Sequence, residues 1–118
     1  MAEPDERRTV KTDRFSRRVL AQLRLAVLAD CGCERTLAAL DLGARQAGLT
    51  GAEIDAALAG RSFEARTAAA LVFACAIKSG DQAQIALARE HAARVGTSDA
   101  DLATVEAEVT AILASRAA

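Results

Sequence analysis

Two cysteines one residue apart, in Asp30-Cys31-Gly32-Cys33-Glu34, are the residues of this chain best placed for covalent chemistry. With three cysteines and one histidine in all, few other side chains could supply a nucleophile or a proton relay. The thiolate is the reactive form of cysteine, and a helix N-terminus favours it through unpaired backbone N–H groups and the positive end of the dipole. Cys33 falls where a second helix should begin, which makes it the candidate attacking thiol. Asp30 and Glu34 are anionic neighbours that push the other way, and the sequence leaves the net direction open. Cys31 could serve as the resolving partner, because a Cys-x-Cys pair across glycine can close a small, strained and readily reduced ring. The competing reading makes both cysteines small, inert residues at a tight helix corner.

The remaining reactive residues read as structure. Cys75 lies mid-helix in an apolar run and is expected in the core. His91, in Arg89-Glu90-His91-Ala92-Ala93-Arg94, reads as a surface residue near a helix C-terminus, where a cation meets the dipole favourably. Cys31, Cys33, Cys75 and His91 match no recognised metal spacing, so neither metal nor cofactor is expected. Asp41, Asp55, Glu64, Glu106 and Glu108 form no convincing acid/base pair. Six basic residues crowd Arg7 to Arg18 against one acid, Asp13. That stretch reads either as a contact for phosphate or an acidic partner, or as a solvated arm and first helical turn.

The elements that position these residues are helical. Among 118 residues, 52% are hydrophobic, much of that alanine, with three phenylalanines and one proline. Alanine favours helix, and small side chains let helix axes approach. The fold class expected is all-α, a compact bundle of about six helices, with a flexible arm over 1–13 and a single domain over 14–118. Phe15, Val19, Leu23 and Val27 mark a first helix from about Asp13 to Asp30, and Gly32 is placed to end it. A second runs from Cys33 or Glu34 to Ala47, burying Leu37, Leu40 and Ala44. Thr50 and Glu53 spell a capping box for a short third helix. Ser62 is the expected cap of a fourth, whose run Ala68 to Ile77 is apolar nearly all round and needs cover from its own domain or another subunit. Asp81 caps a fifth, with Ile85, Ala88, Ala92 and Val95 as its stripe. Ser98 opens a sixth, with Leu102, Val105, Val109 and Ile112 on one seam. Ala44 to Ile54 echoes Ala93 to Leu102 as two uses of one turn solution: a glycine stop, then a Thr or Ser cap.

In order and spacing, Leu23 to Glu34 followed by Ala44 to Ile54, Ala57 to Ser62 and then an apolar helix resembles the carboxymuconolactone decarboxylase family. That family includes alkylhydroperoxidase D-like proteins, and the resemblance runs from about Leu20 to about Leu113. The redox branch carries the motif Glu-x-x-Cys-x-x-Cys-x-x-x-His. Cys33 matches its first cysteine and Asp30 its glutamate; Thr36 stands at the second cysteine and Leu40 at the histidine. Threonine cannot close a disulfide, and leucine cannot relay a proton.

The resemblance implies an alkylhydroperoxidase D-like bundle, assembly into trimers or hexamers, and a thiol-dependent antioxidant reductase run by Cys33, Cys31 and Asp30 with a thiol reductant as partner. It also implies two alternatives: a non-catalytic oligomer or small-molecule-binding protein, or a lyase acting on a cyclic carboxylate held by an arginine such as Arg35, Arg45 or Arg61. A formal charge of −1 gives no field that draws in nucleic acid or an anionic membrane. The longest uncharged run, Thr67 to Ile77, is eleven residues, short of a membrane span. Met1 to Asp13 lacks the apolar core of a secretory signal, so free thiols in the cytoplasm are expected.

Overall fold

A computed structural model of the chain describes residues 16–30 and 33–117, the side chains of Arg116 and Ala117 apart. The arm expected over 1–13, Phe15 and the Cys31-Gly32 pair lie outside the described residues. Six helices run through the rest: α1 Arg17–Leu28, α2 Glu34–Gln46, α3 Gly51–Leu58, α4 Ala65–Ser79, α5 Gln82–Arg94 and α6 Asp99–Ala117. The all-α expectation holds.

Local chemistry sets most of the boundaries. Ser16 caps α1 by accepting from the Val19 N–H. At α3 the Thr50 hydroxyl accepts from the Glu53 N–H at 3.2 Å while the Glu53 carboxylate accepts from the Thr50 N–H at 2.9 Å, a complete capping box. Asp81 accepts from Ala83 and Gln84 to start α5, and Ser98 accepts from Asp101 to start α6. Gly48 and Gly96 both take positive φ, 96° and 91°, a conformation only glycine adopts without strain. Their turns share the same hydrogen bonds: Leu49 donates to Ala44 and Thr97 to Ala92, five residues back in each case. The echo seen in the sequence is thus one turn built twice.

The start of α4 differs from expectation. Ser62 does not cap it; its hydroxyl accepts from the Glu64 N–H, Glu64 takes the cap position in extended conformation, and the helix begins at Ala65. Ser62 closes a local turn, which is a serine's other common use next to a helix start. Phe63 is left 73% exposed on that turn.

Helix α4 packs against α5, α1 and α6, while α1 also meets α2 and α3. Phe73 and Leu71 of α4, Leu23, Leu25 and Val27 of α1, and Leu102, Val105 and Val109 of α6 are fully buried in one shared core. Alanines 69, 70, 74, 76, 88 and 92 are buried between them and allow close helix approach. This chain therefore covers most of α4 itself; Val72, 46% exposed, marks the strip left open. Helix α2 is more peripheral than its apolar stripe suggests. Only Ala44 is buried, with Leu37 and Leu40 half-buried, because α2 packs mainly on α1 and α3 and has no extensive contact with the central α4. Cys75, expected in the core, is half-buried. Among the described residues, no helix is long and apolar enough to cross a membrane.

Candidate thiol site at the α1–α2 corner

The corner between α1 and α2 is anchored from α4. Lys78, in the last turn of α4, donates to the Val27 carbonyl at 2.6 Å and to the Asp30 carboxylate at 2.5 Å. One ammonium group thus binds a carbonyl at the end of α1 and pairs with the acid that follows. Asp30 thereby links the end of α1 to α4, and it is not among the groups that shift the Cys33 thiol.

Cys33 is the N-cap of α2, exposed, with extended backbone (φ −96°, ψ 111°). Its carbonyl accepts from Leu37, the first bond of the helix. The thiol is held below its ordinary pKa, first by the Thr36 hydroxyl, then by the Thr36 backbone N–H, with a smaller contribution from the Arg35 N–H; partial desolvation opposes them. The question left open by the flanking acids resolves downward. Cys33 makes no side-chain capping hydrogen bond in the structure; donors close to a sulfur favour its thiolate over the thiol.

Thr36 is the neighbour of Cys33 whose effect on the thiol was missed in reading the sequence. Set against the family motif it is only a lost cysteine. In the structure it occupies the third helical position after the cap, the place from which a side chain reaches back to the cap residue in a capping box. A Cys-x-x-Thr pattern at a helix start was the signal that could have revealed it.

Thr36 also lines a cleft of about 540 Å³ between α1, α2 and α6, with Arg24, Leu28, Glu108 and Ile112 among its walls. Apolar surface from Leu28 and Ile112 beside one cation and one acid suits a small organic molecule with a polar end. Of the arginines singled out in the sequence, Arg45 pairs with Asp41 at 3.0 Å, and neither it nor Arg35 or Arg61 lines this cleft; Arg24 does.

His91 and Cys75 meet elsewhere. Both line an apolar cleft between α4 and α5 with Val72 and Leu87, so His91 does not line the cleft that Thr36 and Arg24 share. Burial pushes the Cys75 thiol up; Lys78 lowers it and Asp30 raises it, both by smaller amounts. It is the less acidic of the two thiols, and so the poorer nucleophile. Cys31 lies outside the described residues. Among the described residues, no group of three or more His, Cys, Asp and Glu side chains could hold a metal ion.

No family model, curated protein or solved structure matches this chain. The functional reading therefore rests on the corner itself.

Proposed function

We propose that this chain is a thiol-dependent reductase of organic hydroperoxides, of the alkylhydroperoxidase type that its sequence resembles within the carboxymuconolactone decarboxylase family. One observation carries the reading: Cys33 is exposed at a helix N-terminus, its thiolate favoured by Thr36 and two backbone donors, beside a cleft able to take a small organic molecule. The Cys33 thiolate attacks the terminal oxygen of the hydroperoxide. An S–O bond forms, the O–O bond breaks, and the departing alkoxide takes a proton to become the alcohol. Cys33 is left as the sulfenic acid. The Cys31 thiol then displaces its hydroxyl group as water, closing the Cys31–Cys33 disulfide. A dithiol reductant returns both cysteines to thiols and is itself oxidised to a disulfide. Such a cycle belongs in a reducing compartment such as the cytoplasm.

The test is thiol counting with site assignment. One equivalent of an alkyl hydroperoxide should consume Cys31 and Cys33 together while Cys75 stays free, and Cys33→Ser should abolish turnover with dithiothreitol as reductant. Retention of free Cys31 and Cys33 under those conditions would sink the reading.

A second reading is favoured by the α4–α5 face, where Val72 and Leu87 stay 46% and 65% exposed. In it the chain is a homo-oligomer, a trimer or hexamer, assembled through that face. Light scattering should then give a multiple of the 12.3 kDa chain mass, falling to the single-chain mass in Val72→Lys/Leu87→Lys. A single-chain mass for the unmodified protein overturns it.

A further inference from the structure

Helix α1 carries positive charge that the thiol chemistry does not use. Arg18 is engaged, donating to the Gly48 carbonyl at 2.6 Å and pairing with Glu53 at 2.5 Å. Arg17 and Arg24 have neither an ion pair nor a hydrogen bond among the described residues. Seven residues apart, they share one face of α1, separated by about 10 Å along the axis. Both line a cleft of about 450 Å³ between α1 and α2 that is distinct from the one at Thr36, although Arg24 borders both. Leu20 and Ala21 lie between the two arginines on the α1 wall; Leu40 and Gly43 stand on the α2 wall. Among the described residues, no acidic side chain lines it.

Two features mark this cleft as more than a solvated groove. Arg17 sits in the first turn of α1, the positive end of the dipole, with no acid in that turn to offset it. A cation there is unfavourable by itself, and dipole and guanidinium together attract an anion. Gly43 is the second. It lies inside α2, where glycine costs helix stability relative to alanine. Its φ is not positive, and a Cβ built on it meets nothing within 4 Å. Neither backbone nor packing requires glycine at this position; its missing side chain leaves the cleft floor open.

We infer that the α1–α2 cleft binds a small organic dianion, an apolar chain with a carboxylate or phosphate at each end. Arg17 and Arg24 hold the two ends, and the chain lies on Leu20, Leu40 and the open floor at Gly43. The charge is complementary, the spacing of the arginines selects length, and the apolar walls reject an inorganic ion. Binding here does not depend on the redox reading of Cys33.

Calorimetric titration of the full chain at low ionic strength tests this, with sebacate, decanoate, succinate and inorganic phosphate as probes. Sebacate should bind tightest, with decanoate about tenfold weaker for loss of one charged contact, and succinate and phosphate weaker again. Arg17→Gln and Arg24→Gln should each weaken sebacate about tenfold, while Arg61→Gln, outside the cleft, leaves it unchanged. Gly43→Leu fills the floor without altering charge and should abolish sebacate binding with the melting temperature unchanged or raised. Phosphate binding as tightly as sebacate would overturn the inference, and so would sebacate binding indifferent to both arginine variants. Tighter binding of an oligoglutamate peptide than of sebacate overturns it in favour of a protein partner. A changed particle mass in the arginine variants overturns it in favour of a second copy.

Discussion

Phe73→Ala is expected to cost about 3–5 kcal/mol of folding stability, read as a fall in the urea midpoint with unchanged slope. Phe73 is fully buried in α4, the helix that touches α5, α1 and α6, so truncation opens a cavity where four helices meet. Its surroundings cannot repair the loss. Ala69, Ala70, Ala74, Ala76, Ala88 and Ala92 are the buried small residues of α4 and α5, and an alanine has no side chain to extend into a void. The Arg89 guanidinium, 5.1 Å from the ring centre, also loses its partner. A domain with a total stability of about 5–15 kcal/mol has little left after such a loss. Phe63→Ala provides the contrast: 73% exposed, it should shift stability by no more than about 0.5 kcal/mol. A cost for Phe73→Ala below about 1.5 kcal/mol would show that the core repacks around the cavity, contrary to this expectation.

Thr36→Val is expected to move the pH dependence of Cys33 alkylation upward and to slow the reaction several-fold at neutral pH. The rate follows the thiolate fraction. With the pKa of Cys33 held below its ordinary value, the rate stays high as pH falls and drops only when pH passes down through the lowered pKa. Valine keeps the shape of threonine and removes the hydroxyl, the largest of the donors holding the thiolate. The drop then begins at higher pH, while the plateau at alkaline pH is unchanged. The backbone donors of Thr36 and Arg35 remain, so the shift is partial. Iodoacetamide labelling in a Cys31→Ser background, followed by peptide mass analysis, resolves Cys33 from Cys75. Cys75, whose thiol burial pushes up, should label only at higher pH. Identical profiles for Thr36→Val and the parent would remove Thr36 from the site.

The candidate site was half legible from the chain. Cys33 as a helix-start thiol follows from local pattern, because capping depends on residues within one turn. The direction of its pKa shift was not legible. Asp30 is close in sequence, but its charge is taken up by Lys78, 48 residues away, whereas the donors that decide the matter come from Thr36. The family motif named Asp30 as a catalytic position; in the structure its carboxylate pairs with Lys78 of α4. Likewise Arg24 was passed over in favour of Arg35, Arg45 and Arg61, because only the packing of α1 against α2 and α6 creates clefts for it to border.

What the sequence determined alone is the set of six helices, the glycine turns at Gly48 and Gly96, and the caps at Thr50, Asp81 and Ser98. Propensity, capping and left-handed glycine are short-range effects, complete within a few residues. The seam of α6 was also readable, since Leu102, Val105, Val109 and Ile112 repeat at helical spacing and all four are buried. Tertiary structure alone decided which apolar residues are covered: α4 is sheathed by its own chain on most sides, and α2 buries only Ala44. It also decided where the long cationic side chains end, with Lys78 on Asp30 and Arg18 on Glu53, and Arg17 and Arg24 left at an open cleft. Periodicity says which face of a helix is apolar. It does not say which neighbour covers that face or what a long side chain reaches, because both depend on contacts between residues far apart in the chain.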